Sequence, residues 1–109
     1  MHPDTLRQLI ASCRSSRSRV LGFPRDWRPH TIRNPHLPSM PLTDAAAWEL
    51  IADYLEAGGG YHEMKLDVPP GAPAICFETL AIEPPLVYVK VQIGARNVAI
   101  GRSFHLSGR

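Results

Sequence analysis

Little in this chain is equipped to bind a metal or to build a disulfide framework. Its two cysteines, Cys13 and Cys76, lie far apart, each among apolar neighbours, which suits reduced core thiols. The five histidines include no His-x-His or His-x-x-x-His pair, so neither a zinc site nor any other metal or cofactor is expected. Gly58, Gly59 and Gly60 are not followed by the Lys and Ser or Thr of a phosphate-binding loop. No Ser or Cys nucleophile has a base close by in sequence. Long apolar runs are missing too: nothing approaches the roughly 18 residues of a membrane span, and the start shows no Ala-x-Ala cleavage site. The expectation is a cytoplasmic protein with no membrane partner.

Acidic residues are absent from one place in particular, the stretch 86–109, which carries Lys90, Arg96, Arg102 and Arg109. The first 34 residues are also basic, with seven arginines against Asp4 and Asp26, whereas residues 35–85 set Lys65 against eight acids. Basic ends around an acidic middle suit a polyanion such as RNA meeting one side of the fold. With 109 residues, 44% apolar and 20% charged, the chain is long enough for one domain with a modest core. We read 1–109 as that single domain, with a basic helix and Pro-rich connector over 1–42 and a helix plus antiparallel sheet over 43–109.

Asp4 is placed to cap a first helix, in which Leu6, Leu9, Ile10 and Cys13 follow the i, i+3, i+4, i+7 spacing of a buried stripe. That helix should end near Ser15–Ser18. Residues 21–41 hold five prolines, so neither a helix nor a central strand is expected there. Within this connector Trp27 stands between Arg25 and Arg28, with His30, Arg33 and His36 following. Such an aromatic can stack on a base or pin the loop to the core. Thr43 opens a second helix with Asp44 at its positive end, Ala47, Trp48, Ile51 and Leu55 as its core stripe, and glycines 58–60 as its stop. Its opposite face, Glu49, Asp53 and Glu56, has no lysine at helical spacing, leaving water or a basic partner to meet it.

The period then changes from 3.6 to 2. Met64, Leu66 and Val68 alternate with Glu63, Lys65 and Asp67; after a turn over 69–73 a second strand runs over 75–80, closed by Glu83–Pro84–Pro85. Strands over 86–93 and 98–105 flank Gly94–Ala95–Arg96–Asn97, a hairpin turn. The fold class expected is α+β, two N-terminal helices packed on a four-stranded antiparallel sheet.

If the turn is tight, Ile93 faces Val98, Lys90 faces Gly101 and Tyr88 faces Ser103. Strand alternation then puts Tyr88, Lys90, Gln92, Gly101, Ser103 and His105 on one face, and Val87, Val89, Val91, Ile100 and Phe104 on the other. Arg102 falls on the apolar side in this register, so it must sit at a rim, snorkel or mark a bulge. The first set contains what metal-free RNA cleavage requires: a group to move protons and cations to hold the phosphate. His105 can serve as acid or base, Lys90 or Arg102 can hold the phosphate, Tyr88 can donate a proton or orient the sugar, and Gln92 can contact a base edge. Ser103, Lys65 and Arg96 are further candidates for RNA contact. The same residue types also occur on ordinary wet sheet faces, so geometry must decide.

Val87–Tyr88–Val89–Lys90–Val91 followed by Ser103–Phe104–His105 resembles the C-terminal hairpin of the MqsR toxins, within the wider RelE-like group of toxin–antitoxin ribonucleases. In MqsR the corresponding run is Val-Tyr-Leu-Lys-Ile, then Ser-Phe-Lys. The resemblance spans about residues 43–107 and is specific in the hairpin. It implies a metal-independent mRNA endoribonuclease, an mRNA interferase, ribosome-dependent or free, held inactive by a cognate antitoxin. Tyr88 matches the family's active-site tyrosine, and His105 stands where MqsR has a functional lysine. The arginine-rich first 42 residues depart from MqsR. A different class of function, a non-catalytic RNA- or protein-binding module of the same fold, uses the same basic ends.

Overall fold

The computed structural model describes residues 1–79 and 86–107. Leu80, the closing Glu83–Pro84–Pro85 and Arg109 lie outside the described residues. The chain forms helix α1 (Pro3–Cys13), strand β1 (Arg19–Trp27), the short strands β2 (Arg33–Asn34) and β3 (Leu37–Pro41), and helix α2 (Asp44–Glu56). Strands β4 (His62–Lys65), β5 (Pro73–Thr79), β6 (Val87–Ile93) and β7 (Ala99–Leu106) follow. The class is α+β, but the sheet is larger than expected. Five strands run in the order β1-β7-β6-β5-β4, with β1 parallel to β7 and the other pairs antiparallel, and β2 with β3 makes a separate two-stranded ribbon.

The added strand comes from the proline-rich stretch. β1 lies at the sheet edge, where a strand tolerates proline because one side of its backbone needs no partner. Its pairing to β7 breaks between Leu21 and Asp26, and Pro24 sits inside that break. The connector read from the prolines is therefore an edge strand, a 3-10 turn over Pro29–Thr31 and a small ribbon.

Both helices start as their sequences require, with one change of residue. The cap of α1 is His2, whose Nδ1 accepts from the Asp4 backbone N–H at 3.0 Å, and Asp4 itself sits in the first turn. The helix ends at Cys13, short of the expected Ser15–Ser18. Thr43 caps α2 by accepting from Ala46 N–H at 3.1 Å, and Gly58 leaves the helix at φ 85°, which glycine adopts without steric cost. The acidic face of α2 stays largely open to solvent and is met from within the chain as well. Arg14, at the end of α1, reaches Glu49, Asp53 at 3.0 Å and Glu56 at 3.2 Å, tying the two helices together.

The core lies between the helices and one face of the sheet. Leu9, Cys13, Trp48, Ile51 and Leu55 meet Ile75, Phe77, Val87, Val89, Val91 and Phe104. Trp27, buried, packs against Trp48 at 5.0 Å and Phe104 at 5.4 Å between ring centroids, and its indole N–H donates to Asp44. Of the two uses open to this tryptophan, pinning the segment to the core is the one adopted. Among the described residues no helix is long and apolar enough to cross a membrane.

Candidate functional site

Among the described residues the other face of the sheet carries no helix, and the hairpin's side chains gather there by way of a bulge. Near the turn Ile93 pairs with Ala99, Gln92 with Ile100 and Val91 with Gly101, one residue on from the tight-turn register. The shift arises because Arg96 and Asn97 both take left-handed φ values of 57° and 62°, making the connection one residue longer. Pairing then jumps to Lys90 with Ser103 and Tyr88 with His105, leaving Arg102 as the extra residue of β7. An extra residue reverses the alternation, so the bulge undoes the shift introduced at the turn. Tyr88, Lys90, Gln92, Ser103 and His105 therefore do share one face. Gly101 and Ile100 exchange sides relative to expectation: a Cβ on Gly101 would lie 2.6 Å from Trp27, which packs directly against it on the core side.

Arg102 is turned onto the open face and buried there, 8% exposed. Its Nε and Nη2 donate to Gln92 Oε1 at 2.9 and 2.6 Å, and its Nη1 donates to the carbonyls of Phe23 and, at 3.1 Å, Pro24. Among the described residues none of these partners is a carboxylate. A guanidinium buried against neutral oxygens has no countercharge among these contacts, and an anionic ligand would supply one. Gln92, expected at a base edge, gives its carbonyl oxygen to Arg102. Beside them Lys90, Arg102 and Ser103, with Pro24, Arg25 and Asp26 on one side and Leu66, Asp67 and Val68 on the other, line a groove of about 380 Å³.

His105 lines a separate pocket of about 120 Å³ with Arg28, Thr31 and Leu106 and connects to the groove through Asp26, both its ring nitrogens facing oxygens. Nδ1 lies 2.8 Å from the Leu106 carbonyl, and Nε2 lies 3.5 Å from Asp26 Oδ2. Asp26 is in turn held by Arg28, whose Nε is 2.6 Å from Oδ1. Sequence reasoning missed Asp26, because only the parallel pairing of β1 with β7 carries it to Ser103 and His105. One signal was present: Asp26 and Trp27 are a polar and an apolar neighbour, as on a strand with two different faces.

Tyr88 completes the group, its ring 5.5 Å from that of His105 between centroids and tilted by 37°. Burial, with the neighbouring Cys76 and Glu78 adding to it, pushes its phenol up to about 12. The phenol thus keeps its proton across the neutral range. Cys76, expected in the core, is half-buried on this open face, paired across the ladder with Lys90. Two candidates stay apart. Lys65 pairs with Pro73 on the alternate position of β4, exposed and away from the groove, and Arg96 lies exposed at the hairpin tip, the opposite end of the strands from His105.

Comparison with protein-family models, curated proteins and solved structures finds no match to this chain.

Proposed function

We propose that this open face cleaves RNA without a metal ion, as a toxin-type endoribonuclease of the MqsR-like kind controlled by an antitoxin protein. The observation that carries the reading is the placement of His105, beside Tyr88 and paired to Asp26, which lines the same groove as Lys90 and the buried Arg102. His105 takes the proton of a ribose 2′-OH, and Asp26 stabilises the imidazolium that forms. The 2′-oxygen attacks the adjacent phosphorus while Lys90 and Arg102 stabilise the charge on the phosphoryl oxygens. The bond from phosphorus to the 5′-oxygen breaks, and Tyr88 supplies the proton to the departing oxygen. The products are a 2′,3′-cyclic phosphate and a 5′-hydroxyl, and the imidazolium returns a proton to Tyr88. Gln92 keeps Arg102 in place.

The test is to incubate the purified protein with single-stranded RNA in excess chelator and to map the ends formed. Cyclic-phosphate ends, lost in His105→Ala, are expected, together with growth arrest on expression that a co-expressed antitoxin relieves. RNA that stays intact sinks the enzyme reading. Intact RNA bound in a steeply salt-dependent way would instead make this face a binding module, since phosphate contacts weaken as salt rises.

A further inference from the structure

The segment that breaks the β1–β7 pairing has a feature the cleavage chemistry does not use. Between Leu21 and Asp26 the chain leaves register and lifts Phe23 into solvent, 75% exposed, beyond Val20 at 51% and Val68 at 57%. An apolar ring so placed earns nothing for the fold. The backbone beneath it is nevertheless fixed. Its carbonyl and that of Pro24 accept from the buried Arg102, and Gly22 lies so close that a Cβ there would come within 2.7 Å of Ile100 and 2.9 Å of the Arg102 guanidinium. The Arg25 guanidinium covers the ring at 4.1 Å from its centroid. Directly after Phe23, residues Pro24, Arg25 and Asp26 form one wall of the groove.

A flat ring backed by a guanidinium, mounted on the same arginine that floors the anion groove, is shaped for an unpaired base whose phosphate lies in that groove. Base faces stack on aromatic rings and on guanidinium planes alike, and a base held inside a duplex has no free face to offer. From this we infer that Phe23 and Arg25 form a stacking platform for a nucleobase next to the bound phosphate, which makes single-stranded RNA the substrate class. The inference rests on the assignment of this face to RNA and adds the group that selects unpaired strands. The aromatic that meets RNA is Phe23, and Trp27, four residues on, belongs to the core.

The experiment measures binding of a 2′-O-methyl RNA oligonucleotide, which cannot be cut, by fluorescence anisotropy. Phe23→Leu keeps an apolar side chain but removes the ring, and being at an exposed site it should melt as the parent does. Loss of one stacked base predicts binding weaker by roughly 5- to 150-fold, with Phe23→Trp restoring or tightening it. A duplex of the same sequence should bind more weakly and be indifferent to the substitution. Equal binding of single strands by the parent and a folded Phe23→Leu overturns the platform, as does equal sensitivity on duplex. The two readings fail separately: cleavage that ignores Phe23 removes the platform alone, whereas Phe23-dependent binding with no cut of ordinary RNA removes the ribonuclease alone.

Discussion

Phe104 and His105 are consecutive residues of β7, and they belong to different worlds. Phe104 is fully buried under the helices against Trp27, while His105 turns to the helix-free face and pairs with Asp26. The same contrast runs across the sheet: Val87, Val89 and Val91 on one side of β6, Tyr88, Lys90 and Gln92 on the other. The core face holds the molecule together through apolar contact, while the open face concentrates polar groups, of which Arg102 and Gln92 fasten β1. Apolar and polar surface are thereby separated by the width of one sheet.

Substitutions at these two neighbours should come apart accordingly. On the open face, His105→Ala is expected to lower RNA cleavage by roughly 10²- to 10⁴-fold, the usual worth of a positioned acid or base, while the urea midpoint hardly moves. On the core face Phe104→Ala should cost about 3–5 kcal/mol of unfolding free energy, seen in the same urea titration. If His105→Ala unfolds the protein, or Phe104→Ala leaves stability intact, the division between the faces is wrong.

Alkali sharpens the comparison, because each face holds one group whose proton is retained by folding. Burial pushes the Cys13 thiol up to about 12 from an ordinary 9.0, and Tyr88 up to about 12 from 10.0. Above those ordinary values the unfolded chain has released protons that the folded chain still holds, so stability falls as pH rises from about 9 towards 12. Chemical denaturation at several pH values should show the decline. Cys13→Ala should flatten its earlier part and Tyr88→Phe its later part, and an unchanged slope in both would refute this assignment. The smallest effect is expected at Arg14, the tie between the helices: Arg14→Ala should lower the urea midpoint only slightly, and less at high salt.

Much of this arrangement was legible in the sequence, for identifiable reasons. The helix after Thr43 was readable because its cap, its 3.6-residue stripe and its terminating glycines agree, and local rules suffice for it. The open face of the hairpin was readable because alternation is local as well. The pairing was not, since the two left-handed residues Arg96 and Asn97 lengthen the turn by one. Arg102 then restores the alternation, so the expected set survives except at Ile100 and Gly101. Asp26, the Arg14 ties to α2 and the whole of β1 were hidden because each depends on contacts between residues far apart in the chain. Composition could say that residues 21–41 contain no central strand, and β1 is indeed an edge. It could not say which strand that edge would join.

The parallel union of β1 with β7 also sets a timetable. Arg102 donates to Phe23 across 79 positions of sequence, and Asp26 waits as long for His105. Contacts of such long range form late, after helices and hairpins have closed. A nascent chain that has made both helices and β4 through β6 therefore still lacks the groove floor and the paired imidazole. The groove and the paired imidazole come into being together, when β7 docks against β1, and no shorter stretch of the fold carries them.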